Sequence, residues 1–522
     1  MHPRRKFLST TLLGAGLALS RQTWSQSLLK KFNTDPFTLG VASGYPTANS
    51  VVLWTRLAIS PLEPDGGMGH ESIEVLWEIA YDEKFMRIAQ SGTALAVLEW
   101  SHSVHAEPKN LQAGYDYFYR FTAGGLRSPI GRTWTATAPG MAATSLRIAV
   151  ASCQNFENGF FNSYRHMQAA STNLIVHVGD YIYENAPVNY KPRAHLGGEC
   201  LTLADYRLRH SLYRSDEDLR NAHAACPWLL TIDDHEVAND YANDSAGGPI
   251  GDSAKFLQRR AAAYRAYYEN LPLPRAAIPD GTHMLFYTSR ATSNLASFHL
   301  LDGRQYRSIQ ACVPAGRQGG ARVYEEDCPE MADLSRTMLG KTQESFLDTQ
   351  LLNSKTQWNF IAQATTVTRT DEDPGPRHRY WTDAWAGYPA ARNRLINSIV
   401  QSKTNNPVIL SGDIHAFVIA DIHRSPDDPD SPIALSELVA TSISASPPPE
   451  FVIDAYKTKI PDVWYASSKA HGYLQIDLSR DELKANLIAM DNVLNREATA
   501  RVAGQYSIKA GKAGIKDISL SK

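Results

Sequence analysis

The fold is decided by the stretch Leu174-Ile-Val-His-Val-Gly-Asp-Tyr-Ile-Tyr-Glu184, in which an apolar run of strand length passes directly into glycine, aspartate and tyrosine. Three other apolar runs end in the same way: residues 146–152 before Cys153, residues 229–232 before Asp233-Asp-His-Glu236, and residues 408–410 before Ser411-Gly-Asp-Ile-His415. In an α/β fold the carboxyl ends of the strands carry the functional site. The sequence therefore predicts that one edge of one sheet presents a thiol, carboxylates, a phenol and imidazoles together.

The segments between these runs complete an α/β pattern. Helices are predicted at residues 160–170 and 216–226, and further strands at residues 294–301, 358–363 and 435–441. Residues 146–500 are therefore expected to form one α/β domain, followed by a polar C-terminal tail over residues 501–522.

The chain before this domain has a different pattern. Residues 50–56, 72–80 and 115–123 read as short strands, and Tyr115-Asp-Tyr-Phe-Tyr-Arg-Phe121 alternates between two faces. The small residues, proline and glycine of segment 136–145 favour a linker. We therefore predict an N-terminal β-sandwich of the immunoglobulin or fibronectin type over residues 36–138.

Overall charge and the N-terminus limit the partners of the chain. The 522 residues carry a formal net charge of -2, which gives no electrostatic basis for a stable nucleic-acid partner. Arg4 and Arg5 precede an apolar stretch over residues 9–20 that is too short for a permanent membrane anchor. Residues 1–30 are therefore predicted to be a signal read by the twin-arginine export machinery, which places the protein in the periplasm or outside the cell.

The five cysteines are an odd set. In an oxidising compartment Cys312 and Cys328 are the first candidate pair for a disulfide, and Cys200 with Cys226 is a weaker second pair. Cys153 would then be a free thiol at the end of a predicted strand, a position that invites a functional interpretation.

The mixture of side chains at the predicted strand ends has a chemical meaning. Oxygen, nitrogen and sulfur ligands side by side suit a centre with two different metals and one bridging carboxylate. Glycine precedes both Asp180 and Asp413, which lets the backbone approach such a centre closely. Each residue taken singly also has an ordinary interpretation: Cys153 as a small buried side chain, Tyr183 as part of the core, and Asp233 or Asp234 as a helix cap.

Three of these stretches resemble the motifs of the PhoD-type phosphatases within the wider metallophosphatase superfamily. They are Gly179-Asp-Tyr-Ile-Tyr-Glu184, Asp233-Asp-His-Glu-Val237 and Gly412-Asp-Ile-His-Ala416. Leu301-Asp-Gly-Arg-Gln-Tyr-Arg307, Trp385-Ala-Gly-Tyr388, Leu39-Gly-Val-Ala-Ser-Gly44 and Val51-Val-Leu-Trp-Thr-Arg-Leu57 are also similar to that family, in order along nearly the whole chain. The resemblance implies a metallophosphatase-type α/β sandwich for the second domain.

The resemblance also implies a set of metal ligands. Cys153, Asp180, Tyr183 and His415 match the residues that hold a ferric ion, Fe3+, and Asp180 would bridge to a second site. Asp234 and Asp413 match positions of the second metal, which is calcium, Ca2+, in PhoD-like enzymes. The oxygen-only character of these aspartates independently suits a hard cation.

Two further residues are candidates for substrate contact. His235 matches the superfamily histidine that contacts the phosphate, and the resemblance implies a role as proton donor to the leaving group. Arg304 has the geometry to bind phosphate, with a salt bridge as the equal alternative. Tyr45 and Gly303 depart from the family pattern but lie outside these sets, and no histidine is identified to complete the second metal site.

The activity implied is hydrolysis of small-molecule phosphate monoesters or diesters by a metal-bridging hydroxide, since metal charge both makes hydroxide near neutral pH and screens the anionic phosphate. A phospholipase D-type phosphodiesterase is the close alternative. A non-catalytic extracellular binding protein with structural metals is the alternative of another class. Structural metal sites are usually closed by protein ligands, whereas the second site here is short of them, which favours catalysis.

Overall fold

The structure is a computed structural model that describes residues 31–138, 140–141, 143–188, 191–373, 375–425, 428 and 430–520. The predicted export signal at residues 1–30 lies outside these residues. Within the described part of the chain, no helix combines the length and the apolar character needed to cross a membrane.

Strands make up most of the regular structure. The strands before the predicted linker are β1 (Val41–Gly44), β2 (Val52–Arg56), β3 (Ile73–Ala80), β4 (Ile88–Ala96), β5 (Ser103–Ala106), β6 (Asp116–Ala123), β7 (Leu126–Arg127) and β8 (Gly131–Trp134). Next come β9 (Ser145–Ala151), β10 (Leu174–His177), β11 (Trp228–Leu230), β12 (Gly248–Pro249), β13 (Thr288–Ala291), β14 (Ala296–Leu300), β15 (Arg317–Gln318), β16 (Arg322–Tyr324), β17 (Trp358–Ala362) and β18 (Arg379–Trp381). The last are β19 (Pro407–Ser411), β20 (Phe417–His423), β21 (Ile433–Val439), β22 (Val463–Ser467), β23 (Gly472–Ser479), β24 (Glu482–Met490), β25 (Ala500–Lys509) and β26 (Asp517–Leu520).

The α-helices lie in the second part of the chain. They are α1 (Ser163–Ala169), α2 (Leu203–Arg214), α3 (Glu217–Ala225), α4 (Ser253–Asn270), α5 (Gly340–Asn353), α6 (Pro389–Ser402) and α7 (Glu450–Lys459). The N-terminal end of α3 is capped by the Asp216 carboxylate, which accepts the backbone N–H of Leu219.

Two large sheets face each other. One has the order β26-β25-β24-β23-β9-β10-β11-β1-β2-β5, and the other has the order β13-β14-β17-β19-β21-β20-β22. Both are mixed, with parallel pairs at their centres. Side chains such as Val150 from the first sheet and Phe360 from the second belong to one hydrophobic core. The second part of the chain is therefore a sandwich of two mixed sheets with helices around it.

Strands β17 and β19 explain why the apolar runs at the centre of the second sheet have no polar face. Phe360 and Leu410 lie in the core between the sheets, whereas Ile361 and Ile409 pack in a separate core with Leu347 of α5 and other apolar residues of α6. Because both faces are covered, the residues of these strands are apolar apart from Asn359 and Ser411, which are both buried.

The N-terminal strands are divided between two sheets. β3, β4, β6, β7 and β8 form a five-stranded sheet, but β1, β2 and β5 extend the ten-stranded sheet, with β1 parallel to β11. The two layers share a core that includes Leu53 and Tyr119. A self-contained sandwich over residues 36–138 is therefore not what the structure shows, because one of its layers is continuous with the following domain. The continuity fits the complete burial of β2, whose two faces are both covered.

The C-terminal residues also join the ten-stranded sheet. β25 pairs antiparallel with β24, and β26 pairs with β25. The predicted domain boundary at residue 500 falls at the start of β25. Tyr506 and Ile508 of that strand pack into the main core, so the domain continues past this boundary. The described residues of the predicted tail thus fold back as strands.

Candidate metal centre

The strand ends singled out by the sequence meet at one place, although they come from two sheets. β9, β10 and β11 are parallel neighbours, so Cys153, Asp180 and Asp234 follow strands that end at the same edge. Asp413 and His415 follow β19, which lies in the facing sheet. The prediction that one sheet carries all four ends is therefore wrong, since strand partners are set by pairing that the hydrophobic pattern does not encode.

The backbone is unusual at four of the predicted ligands. Cys153, Asp180, Asp413 and His415 have φ angles of 57°, 58°, 66° and 53°. Residues other than glycine seldom adopt this left-handed region, and such conformations concentrate at functional sites. The turns after three separate strands are thus held in a conformation that the surrounding fold must stabilise.

A first group of possible ligands contains sulfur, oxygen and nitrogen. Ligand atoms of Cys153, Asp180 and His415 lie within 4.8 Å of one another. The Tyr183 hydroxyl donates to Asp180 Oδ2 at 2.8 Å and lies 3.1 Å from His415 Nε2. The other ring nitrogen of His415 is 2.7 Å from the carbonyl oxygen of Ser446. The structure therefore brings together the four residues predicted for the first metal.

A second group shares Asp180 with the first. Ligand atoms of Asp180, Asp234 and His235 lie within 4.8 Å of one another. The two oxygens of Asp234 accept the backbone N–H groups of His235, at 2.9 Å, and of Asp240, at 2.6 Å. The Asp180 carboxylate is thus placed where a bridging ligand would be needed.

A third group, which sequence reasoning missed, shares Asp234 with the second. It contains Asp234, Asp240 and Asp383, again within 4.8 Å. The backbone N–H of Gly320 donates to Asp240 Oδ2 at 3.2 Å. Asp240 lies six residues after the predicted ligand Asp234, and this short spacing could have indicated that the two carboxylates lie close together. No feature of the sequence around Asp383 indicated its role. Asp413 lies outside the three groups.

Arg304 is buried among these acids. Its side chain is fully inaccessible and forms ion pairs with Asp233 at 2.6 Å and Asp383 at 2.7 Å, with Asp234 at 3.8 Å. Buried carboxylates require such counter-charges. The structure therefore supports the salt-bridge alternative for Arg304, and a direct contact with substrate stays a prediction.

The centre holds more negative charge than its arginines offset. Burial raises the pKa of Asp180 well above its ordinary value, and burial together with the neighbouring Asp233 does the same for Asp413. Burial also raises the pKa of Asp233 to about 6 and that of Asp240 to about 7. Carboxylates in this state are stabilised by cations, so the donor set fits a centre of bound metal ions.

His235 is fixed on two sides. Its Nδ1 lies 2.7 Å from Oε2 of Glu184, and its ring stacks on the ring of Tyr183 with centroids 4.1 Å apart. Burial alone would lower the pKa of His235, but the carboxylates of Glu184, Asp234 and Asp180 raise it well above its ordinary value. Glu184 is part of a quoted motif, but nothing in that motif indicated a role for its carboxylate.

The remaining candidates separate into core and structural residues. Trp385 and Tyr388 are buried, and Trp381 is half-buried. His177 and His210 are buried as well. Cys312 and Cys328 form the predicted disulfide. Cys153, Cys200 and Cys226 are free and buried, so the second predicted pair is wrong.

Comparisons with known proteins agree with this geometry. Residues 148–487 match the model of the PhoD-like phosphatase family, and residues 23–178 match that of the PhoD-like phosphatase N-terminal domain. The chain belongs to the PhoD-like phosphatase family. It is 38% identical to alkaline phosphatase D of Bacillus subtilis (strain 168), over 99% of this chain and 89% of that protein.

A solved structure of PhoD is similar throughout. It superposes with a TM-score of 0.87 at 38% identity, covering 94% of each chain. The resemblance seen in the sequence motifs is thus confirmed, and as a member of this family the chain is a phosphoester hydrolase.

Proposed function

We propose that this PhoD-like chain is an exported hydrolase of small-molecule phosphate monoesters, diesters or both, with Fe3+ and Ca2+ as its metals. The observation that supports this most is the sharing of Asp180 between a group with a thiol, a phenol and an imidazole and a group with a second carboxylate. Such sharing is the arrangement that two adjacent, chemically different cations require.

The donor atoms support a separate assignment for each cation. Fe3+ would be held by Cys153, Asp180, Tyr183 and His415, a set rich in sulfur, phenol and imidazole donors. Ca2+ would be held by the carboxylates of Asp180 and Asp234, which belong to one group, and by that of Asp413, which lies outside the groups, since calcium takes oxygen ligands. When bound, the cations would supply hydroxide near neutral pH and screen the phosphate oxygens.

The chain itself holds this set in place. The Glu236 carboxylate accepts the backbone N–H of Tyr181 at 2.6 Å and that of Asp233 at 2.9 Å, which ties together the turns after β10 and β11. Arg304 offsets the charge of Asp233 and Asp383. His235 is proposed to contact the phosphate and to donate a proton to the departing alcohol.

Export and domain organisation belong to the same proposal. Residues 1–30 would direct the folded enzyme through the twin-arginine machinery. The five-stranded, immunoglobulin-like layer within residues 36–138 would lie in front of a catalytic region that starts at residue 146 and extends past residue 500 through β25 and β26. Changing both Arg4 and Arg5 to lysine is expected to retain the enzyme inside the cell, measured as the share of activity outside the cytoplasm. Unchanged export of that variant would contradict this part.

The activity is tested with p-nitrophenyl phosphate and bis-p-nitrophenyl phosphate. Protein loaded with iron and calcium is compared with chelator-treated protein and with Asp180→Ala. Turnover that is lost in both controls supports the proposal, and the ratio of the two substrates separates monoesterase from diesterase. Absence of turnover with both metals confirmed bound would overturn it.

A further inference from the structure

Among the residues of the centre that are not proposed metal ligands, Glu184 is the one whose contacts point most clearly to a further role. Its side chain is buried, and both of its oxygens are used. Oε2 lies 2.7 Å from Nδ1 of His235, and Oε1 accepts the backbone N–H of Asn239 at 2.8 Å. The carboxylate is thus anchored to the same turn that carries His235.

The contact fixes how the imidazole is presented. A carboxylate only accepts hydrogen bonds, so Nδ1 of His235 is the donor in this pair. The face of the ring is occupied by Tyr183, with ring centroids 4.1 Å apart. Nε2 is the ring nitrogen left for other partners, and within the described residues it makes no hydrogen bond. The ring belongs to the group that includes Asp180 and Asp234, which places it beside the reacting phosphate of the proposed reaction.

We propose that Glu184 is a positioning residue, which holds His235 so that Nε2 faces the ester oxygen of the alcohol that leaves. This rests on the proposed function and adds to it the residue that orients the proton donor. In the step concerned, a hydroxide oxygen forms a bond to phosphorus as the bond between phosphorus and the ester oxygen breaks, and the electron pair of the broken bond goes to the ester oxygen. The oxygen then takes a proton from Nε2 of His235.

The test compares substrates by how much they need this proton. p-Nitrophenol leaves readily as its anion, whereas an alkyl alcohol such as that of methyl phosphate must be protonated as it leaves. A positioned proton donor contributes about 10²- to 10⁴-fold to a rate. In Glu184→Gln we expect kcat for methyl phosphate to fall at least about ten-fold more than kcat for p-nitrophenyl phosphate, with metal content unchanged.

A double-mutant cycle shows whether Glu184 acts through His235. Adding Glu184→Gln to His235→Asn is expected to cause no further loss on methyl phosphate, because the proton donor is already absent. If Glu184→Gln does not fold, Glu184→Asp serves in its place, since the shorter side chain keeps the charge but cannot keep both contacts.

The outcomes are distinct. An equal loss on both esters, a loss of bound metal, or additive losses in the double variant would each overturn the inference and leave Glu184 as a purely structural residue. Failure of the wild-type enzyme to hydrolyse these monoesters and the diester bis-p-nitrophenyl phosphate would instead refute the proposed function itself.

Discussion

Asp180 is the single residue on which the two proposed metal sites depend, because its carboxylate belongs to both groups. Asp180→Asn keeps the size of the side chain but removes its charge. We expect kcat/KM for p-nitrophenyl phosphate to fall by more than about a hundred-fold, since even residues that only orient metal ligands are worth about 10- to 100-fold. Activity and bound metal are measured together.

The matched control is Asp65→Asn, an exposed aspartate in an N-terminal loop, which is expected to change neither quantity. An Asp180→Asn protein that keeps full activity and both metals would contradict the bridging role.

At the scale of single residues, the sequence could predict which side chains of the centre lie close together wherever a residue follows an apolar run at its end. Cys153 and Asp180 are such residues, and the structure brings them together. Asp240 and Asp383 could not be predicted in the same way, because they lie about 140 residues apart on irregular segments and meet through the paths of loops. Glu184 was missed for a related reason: its partner, His235, lies in a turn 51 residues later.

Among the elements, the turn after β10 is the tightest part of the centre. Gly179 has a φ of +111°, and a Cβ at this position would lie 2.5 Å from Cβ of Asp233. Gly179→Ala therefore combines backbone strain with a collision against the neighbouring turn. We expect it to lower the free energy of unfolding by more than about 3 kcal/mol and to abolish most activity.

The control for backbone strain alone is Gly125→Ala. Gly125 also has a positive φ, +87°, but an added Cβ would meet nothing within 4 Å. It is expected to cost about 1–3 kcal/mol in unfolding free energy, with activity unchanged. Equal effects of the two variants in denaturant unfolding would show that the collision with Asp233 does not matter.

The disulfide-closed segment from Cys312 to Cys328 is the second element tied to the centre. Just before it, the Gln310 side chain donates to the Asp383 carboxylate at 2.6 Å, and within it the Gly320 backbone donates to Asp240. We expect Cys312→Ser combined with Cys328→Ser to lower the free energy of unfolding by about 3 kcal/mol. We also expect weaker calcium binding, because Asp240 and Asp383 lie in one group with the proposed calcium ligand Asp234. Calorimetric titration of calcium measures the second effect.

Treatment of the wild-type protein with a reductant should reproduce both changes and should add nothing to the double variant. If calcium affinity is unaffected by either route, the segment stabilises the fold without supporting the acidic groups.

For the whole molecule, the low pKa values of several buried histidines lead us to expect a loss of stability in acid. Burial lowers the pKa of His177 and His210 to about 3 and that of His105 and His299 to about 4. In the unfolded chain these groups titrate near 6.5, so below that pH the unfolded state binds more protons and is favoured. As pH falls from 6.5 to the pKa of the folded state, each of these histidines lowers the free energy of unfolding by up to about 1.4 kcal/mol per pH unit.

His177→Phe tests one of these contributions. Both ring nitrogens of His177 are buried without a hydrogen-bond partner among the described residues, so an aromatic ring that cannot be protonated removes the acid penalty. We expect the free energy of unfolding of this variant to depend less steeply on pH between 6.5 and 4 than that of the wild type. Identical slopes in urea unfolding would contradict this origin of the acid sensitivity.

The carboxylates of the centre predict the opposite pH dependence in the absence of metal. The pKa of Asp240 is raised to about 7 by burial and by the nearby Asp383 and Asp234 carboxylates, whereas an aspartate in the unfolded chain titrates near 3.9. Its contribution to stability is complete below the unfolded value and is lost as pH rises through about 7, because the folded state must then hold an uncompensated charge.

Bound cations would compensate that charge and add binding energy to the folded state. We therefore expect the difference in Tm between calcium-loaded and chelator-treated protein to widen from pH 5 to pH 8, and to widen less in Asp240→Asn, which lacks the charge at this one position. A difference that stays constant over this range in the wild type would mean that cation binding does not offset the charge of these carboxylates.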